Sequence, residues 1–200
     1  SSMNWSIDNN KQKTAELAKR RLTAAKNATK TFIENFYANG QNANSTVSVV
    51  AFNNSAWLLK FKGNKTTATS QNYKDLLEAI NAISIGNKPS GYGTNMKDAL
   101  DTTYDKIFGT NGLATTTPYN NNNNVVIFLS DGEPSDKDYS GANDKATPIK
   151  NKGASLYTIG FGPEYATVPN PIKDDSPYGL LKNMSSNGKV YQASDTDTLV

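Results

Sequence analysis

"NVVIFLSDGEPSD", residues 124–136, is the stretch from which the fold can be read. Its first seven residues, 124–130, form a compact β-branched and aromatic run that reads as a strand, and the run stops at a carboxylate, Asp131, followed by Gly132 in a turn. Working outward, helical spacing predicts one helix before this strand, from about Asn95 to Phe108, and another after it, near 142–152. A second strand, "ASLYTIGF" (154–161), a short helix near 177–185 and a last strand, "KVYQA" (189–193), continue the alternation. Upstream, Leu22, Ala25, Thr29, Phe32, Ile33 and Phe36 repeat at helical spacing in a long helix over 11–38, which "NG" at 39–40 closes. "STVSVVAFN" (45–53) reads as a strand covered on both faces, and "SAWLLKFK" (55–62) follows so closely that the two form a hairpin. A further helix is expected over 71–83, while "GTNGLATTTPYNNNNN" (109–124) is turn-rich and low in complexity, an exposed loop.

Strands alternating with helices need crossover connections, which in a common sheet are right-handed and put helices on both faces. The expected class is therefore α/β: a Rossmann-like, doubly wound, mainly parallel sheet with one antiparallel edge strand. At 200 residues the chain suits one domain with a sizeable core, and no linker or repeat divides it.

Composition removes several kinds of chemistry. Cysteine and histidine are absent, so there is no thiol, no disulfide, no imidazole base and no zinc site built from Cys or His. The net charge of +3, from 21 basic and 18 acidic residues, is too small a surplus for a nucleic-acid surface. The basic run "KRRLTAAKNATK" (19–30) reads as the solvated face of the long helix. No apolar run approaches the roughly 18 residues needed to cross a bilayer, so this piece is expected to make no membrane contact. Six Asn-x-Ser/Thr triplets, at Asn4, Asn27, Asn44, Asn53, Asn64 and Asn183, are what an asparagine-rich chain produces by chance.

In open parallel sheets, ligands bind beyond the carboxyl ends of the strands. Asp131 lies at that rim with Glu133 and Asp136 nearby, and a carboxylate there suits a hard cation. Thr94 follows the glycines of "SGYGTNMKDAL" (90–100), where a helix begins; its hydroxyl either caps that helix or faces the same rim. Ser2, in "SSMN", lies where a strand-to-helix loop would precede the long helix.

"SSMN", "GYGTNMKDAL" and "IFLSDGEPSD", with the later "LYTIGFG" and "GKVYQASDTDTL", are similar in kind and order to the von Willebrand factor type A (VWA) domain with its metal-ion-dependent adhesion site (MIDAS). The resemblance covers nearly the whole chain. It implies that Ser2 is the last serine of the family's Asp-x-Ser-x-Ser loop, with Met3 as the methionine that follows it in bacterial members. The loop's Asp and first Ser, and the central strand before them, would then precede residue 1, and a final helix would follow Val200. Residues 1–200 are thus expected to be a single VWA-like domain truncated at both ends, its missing central strand supplied by upstream residues or by another chain.

The same resemblance implies that Ser2, Thr94 and Asp131 coordinate a divalent cation, Mg²⁺ or else Mn²⁺ or Ca²⁺, since hydroxyls and carboxylates form an all-oxygen shell. Few anionic ligands leave the ion residual charge and an open position, which a carboxylate of a protein ligand can fill. The expected function is adhesion without catalysis, with no nucleic-acid partner, in a Gram-positive surface or pilus-tip adhesin outside the cell. Two alternatives stand beside it: a Mg²⁺-dependent phosphoryl-transfer hydrolase, whose aspartate nucleophile would lie in the missing first loop, and a structural stalk domain with a degenerate site.

Overall fold

The computed structural model describes residues 20–84, 93–115, 123–131, 134–135, 138–162 and 165–193. The expected helix over 11–38 is described from its N-cap onward as α1 (Arg21–Tyr37), and residues 11–19 lie outside the described part. It ends where expected: Asn39 and Gly40 adopt φ of 55° and 71°, the left-handed conformation that stops a helix. Its apolar spacing is only partly inward, for Ile33 is fully buried while Phe32 is 46% exposed.

The hairpin forms as β1 (Val50–Phe52) and β2 (Ala56–Leu58), antiparallel, with Val50 opposite Leu58 and Phe52 opposite Ala56. Its turn closes through Asn53, whose N–H donates to the Ser55 carbonyl and whose side chain accepts from the Ser55 N–H. The ladder is shorter than the expected 45–53 strand because that segment changes partner. Val47 bridges to Ala68, and only the residues from Val49 onward pair with the returning strand.

Helix α2 (Tyr73–Ala82) packs beside α1, burying Ile33, Leu76 and Ile80 with Leu59 and Phe61. Full burial of an aliphatic side chain of this size is worth about 1.5–3 kcal/mol. The Lys26 ammonium of α1 locks the pair by donating to the carbonyls of Asn81 and Ile83 at the open end of α2.

Helix α3 (Met96–Thr103) runs on into a π-turn (Tyr104–Phe108), β3 (Val125–Ser130) follows, and α4 (Tyr139–Asn151), β4 (Ser155–Phe161), α5 (Pro177–Met184) and β5 (Val190–Ala193) complete the alternation. β3, β4 and β5 form a parallel sheet in that order, with Val125 opposite Ser155 and Thr158 opposite Val190. One face, bearing Phe128, Leu156 and Val190, is buried with residues of α3, α4 and α5. Across the opposite face, among the described residues, α1 covers one end, where Ala24 and Ala25 meet Phe161 and Ala193. The fold is therefore α/β and Rossmann-like, with helices on both sides of a parallel sheet and an antiparallel pair beside it.

Among the described residues no strand lies between β1 and β3, so the sheet is in two pieces. The rings of Phe52 and Phe128 meet across the gap at 5.4 Å, yet each strand leaves one edge without a ladder partner there. Val125 (58% exposed) and Ile127 (44%) lie open on the face that α1 leaves uncovered among the described residues. No helix among the described residues is long and apolar enough to cross a membrane.

Candidate functional site

Three segments meet where the C-terminal ends of β1 and β3 come together. The run into α3 is tied to the turn after β1: the Asn95 N–H donates to the Asn53 carbonyl at 2.7 Å, and Asn95 Nδ2 to the Asn54 carbonyl at 3.2 Å. It is also tied to the loop after β3, since the Thr94 N–H donates to Ser135 Oγ at 2.7 Å and the Ser135 N–H donates back to the Thr94 carbonyl at 3.2 Å. Gly93 allows this closeness. A Cβ there would lie 3.1 Å from Asn54 Oδ1 and 3.2 Å from Ser135 Oγ, tighter than an ordinary contact.

The N-cap of α3 is Asn95, whose Oδ1 accepts from the Asp98 N–H at 3.0 Å. Thr94 does not cap the helix, and among the described residues its hydroxyl makes no hydrogen bond. Asp131 is buried at 3% exposure and, with Thr94, lines one cleft of about 1150 Å³ that runs between β1 and β3 with α1 along its side. It is the one acidic residue among the described residues that line this cleft.

Asp131 faces an arginine. Arg21, in the first turn of α1, is fully buried; its Nη1 donates to the Asp131 backbone carbonyl at 2.9 Å and lies 3.7 Å from Asp131 Oδ2. This corrects the reading of residues 19–30 as a solvated helix face: Arg21 points inward because the carboxylate at the end of β3 compensates its charge. Spacing alone could not reveal a partner 110 residues away. Asn95 and Ser135 were missed too, although Asn95, three residues before Asp98 and just ahead of an apolar helix, carries a readable capping pattern.

Of the three expected metal ligands, Thr94 and Asp131 thus line the same cleft, and Ser2 lies outside the described residues, as do Trp5, Gly132, Glu133 and Asp136. Among the described residues no group of three or more His, Cys, Asp or Glu gathers as a metal cluster. The available donors, the hydroxyls of Thr94 and Ser135 with the Asp131 carboxylate, are hard oxygens and fit Mg²⁺, Mn²⁺ or Ca²⁺ in kind.

A family model of the von Willebrand factor type A domain matches residues 13–200. The chain belongs to this family. Among solved structures, this VWA domain is similar to proximal thread matrix protein 1 of the mussel byssus with a zinc-occupied MIDAS motif, at TM-score 0.60 and 19% identity, covering 88% of this chain and 37% of that one. It is also similar to the pilus adhesin SpaC of Lactobacillus rhamnosus GG, at TM-score 0.63 and 11% identity, covering 90% of this chain and 26% of that one. The VWA domain described here therefore spans well under half the length of either protein. At these identities the likeness concerns the fold. A search of curated proteins found no match.

Proposed function

We propose that this VWA domain is a non-enzymatic adhesion module that grips a protein ligand through a divalent cation at the rim, with Ser2, Thr94 and Asp131 as its ligands. The observation that carries the reading is the division of labour at the start of α3: Asn95 caps the helix, while Thr94, on the same cleft as Asp131, has a hydroxyl with no hydrogen bond among the described residues. A bound Mg²⁺, or Mn²⁺ or Ca²⁺, would supply a Lewis-acidic bridge to a carboxylate of the partner. Thr94 and Ser2 would contribute neutral hydroxyls, and Asp131 the negative charge. Adhesive and matrix proteins among the structural neighbours support an extracellular setting, and the Gram-positive cell surface or pilus is the setting we favour.

The proposal includes a strand in the cleft. The ends of β1 and β3 meet at one rim, bridged by Asn53–Asn95 and Thr94–Ser135, so the two strands run the same way and an extended segment between them would bond to both edges. Its source is upstream residues of the natural chain or another chain, and it brings the carboxylate end of its loop to Thr94 and Asp131.

Calorimetric titration of Mg²⁺ and Mn²⁺ into the upstream-extended chain and its Thr94→Ala variant tests the metal. Binding and metal-dependent adhesion in the parent are expected to be lost in the variant with little change in unfolding midpoint. Unaltered adhesion in Thr94→Ala would sink the reading, and turnover of a generic phosphate ester would favour the hydrolase instead.

A further inference from the structure

We infer that Arg21 is the resting counter-ion of Asp131, and that a divalent cation binds at the rim only by displacing the guanidinium's charge from that carboxylate. Arg21 would then set the metal affinity of the site. The inference rests on the metal reading above and adds to it a residue that opposes the metal.

Arg21 has no exposed surface and Asp131 almost none. Two buried charges persist when each compensates the other, and Nη1, hydrogen-bonded to the Asp131 backbone carbonyl, holds the guanidinium 3.7 Å from Oδ2. The position of Arg21 in α1 makes the pairing more telling. The first turn of a helix carries the positive end of its dipole, where a cation is disfavoured, and the first turn of α1 holds no acid to offset it. Asp131, on another element, places a carboxylate oxygen 3.7 Å from the guanidinium.

A divalent ion coordinated by Asp131 would sit within about 2.6 Å of a carboxylate oxygen. It would thus lie a few ångströms from the guanidinium, with +2 facing +1 beside two side chains that are themselves buried. The described hydroxyls at the rim, of Thr94 and Ser135, are neutral and cannot absorb that repulsion, and no second acid lines the cleft among the described residues. Arg21 and the cation thus compete for the charge of the Asp131 carboxylate, the one acid on the cleft among the described residues. A residue that merely held the fold together would weaken metal binding when removed. A competing counter-ion has the opposite sign: its removal tightens binding.

The test is Mn²⁺ titration, by calorimetry, of the upstream-extended chain and its Arg21→Gln and Arg21→Lys variants. Arg21→Gln is expected to lower the Kd for Mn²⁺ at least tenfold, with Arg21→Lys near the parent because it keeps the charge. Equal or weaker binding in Arg21→Gln, with measurable binding in the parent, overturns this inference and leaves the metal reading intact. No binding in any of the proteins overturns both. Should Arg21→Gln fail to fold, the parent alone decides. The Arg21 Nε–H resonance is followed by NMR while Mg²⁺ is added. A shift that saturates with the metal supports displacement, and an unmoved resonance at full occupancy overturns it.

Discussion

At Asn95 one side chain does two jobs, accepting from the Asp98 N–H with Oδ1 and donating to the Asn54 carbonyl with Nδ2. Replacing it with alanine removes an N-cap and a loop tie together. Asn95→Ala is expected to destabilise the domain by about 1 kcal/mol, the usual worth of such a cap, readable as a lowered urea midpoint. The neighbouring Thr94→Ala should reverse the pattern, with metal binding lost and stability barely moved, because Thr94 anchors its loop through backbone groups that alanine retains. The contrast between these adjacent positions separates capping from ligation. The capping role of Asn95 was open to reading in the sequence; which of the two residues caps was settled by backbone geometry.

At the scale of elements, α4 starts three residues before the expected 142 because Asp138 caps it, its Oδ1 accepting from the Gly141 N–H at 2.8 Å. The other oxygen, Oδ2, accepts from the Lys97 ammonium of α3 at 2.8 Å, so a single carboxylate joins two helices. The hydrogen bond from Lys97, followed by that from Gly141, holds the Asp138 carboxyl below the usual aspartate range. With the folded value depressed, the unfolded chain binds the proton first, so the contribution is complete above the ordinary aspartate pKa of about 3.9 and is lost as pH falls towards the lowered value. Urea unfolding followed through that acid window should show the parent losing stability faster than Asp138→Asn, which caps the helix without titrating. Parallel loss in both proteins would remove this role. In β3 the alternation between buried Phe128 and exposed Ile127 is an element-scale fact that an unbroken run of apolar letters conceals.

For the whole molecule, the open seam between β1 and β3 has an energetic consequence. Strand edges without a ladder partner among the described residues, and exposed apolar side chains such as Val125 and Ile127, favour association over a stable monomer. The 200-residue chain alone is expected to unfold broadly and to self-associate, and the strand proposed above, supplied from upstream residues or from another chain, should convert it to a monomer with a cooperative transition. Calorimetric melting with light scattering checks both halves. A sharp, reversible transition of the monomeric 200-residue chain would show that no added strand is needed.

The sequence by itself determined the order and type of most elements and the rim on which Thr94 and Asp131 lie. Strand and helix periodicities, turn glycines and the ends of apolar runs are local, so a single chain displays them. Element ends were less legible, as at β1 and α4, because they depend on which partner or cap completes the hydrogen bonding. Only the tertiary structure decided that Arg21 is buried against Asp131, that Ser135 answers Thr94, and that β1 and β3 face each other across an open cleft. Each of these joins residues distant in the chain, and a partner brought close by folding imposes no spacing on the sequence that could reveal it.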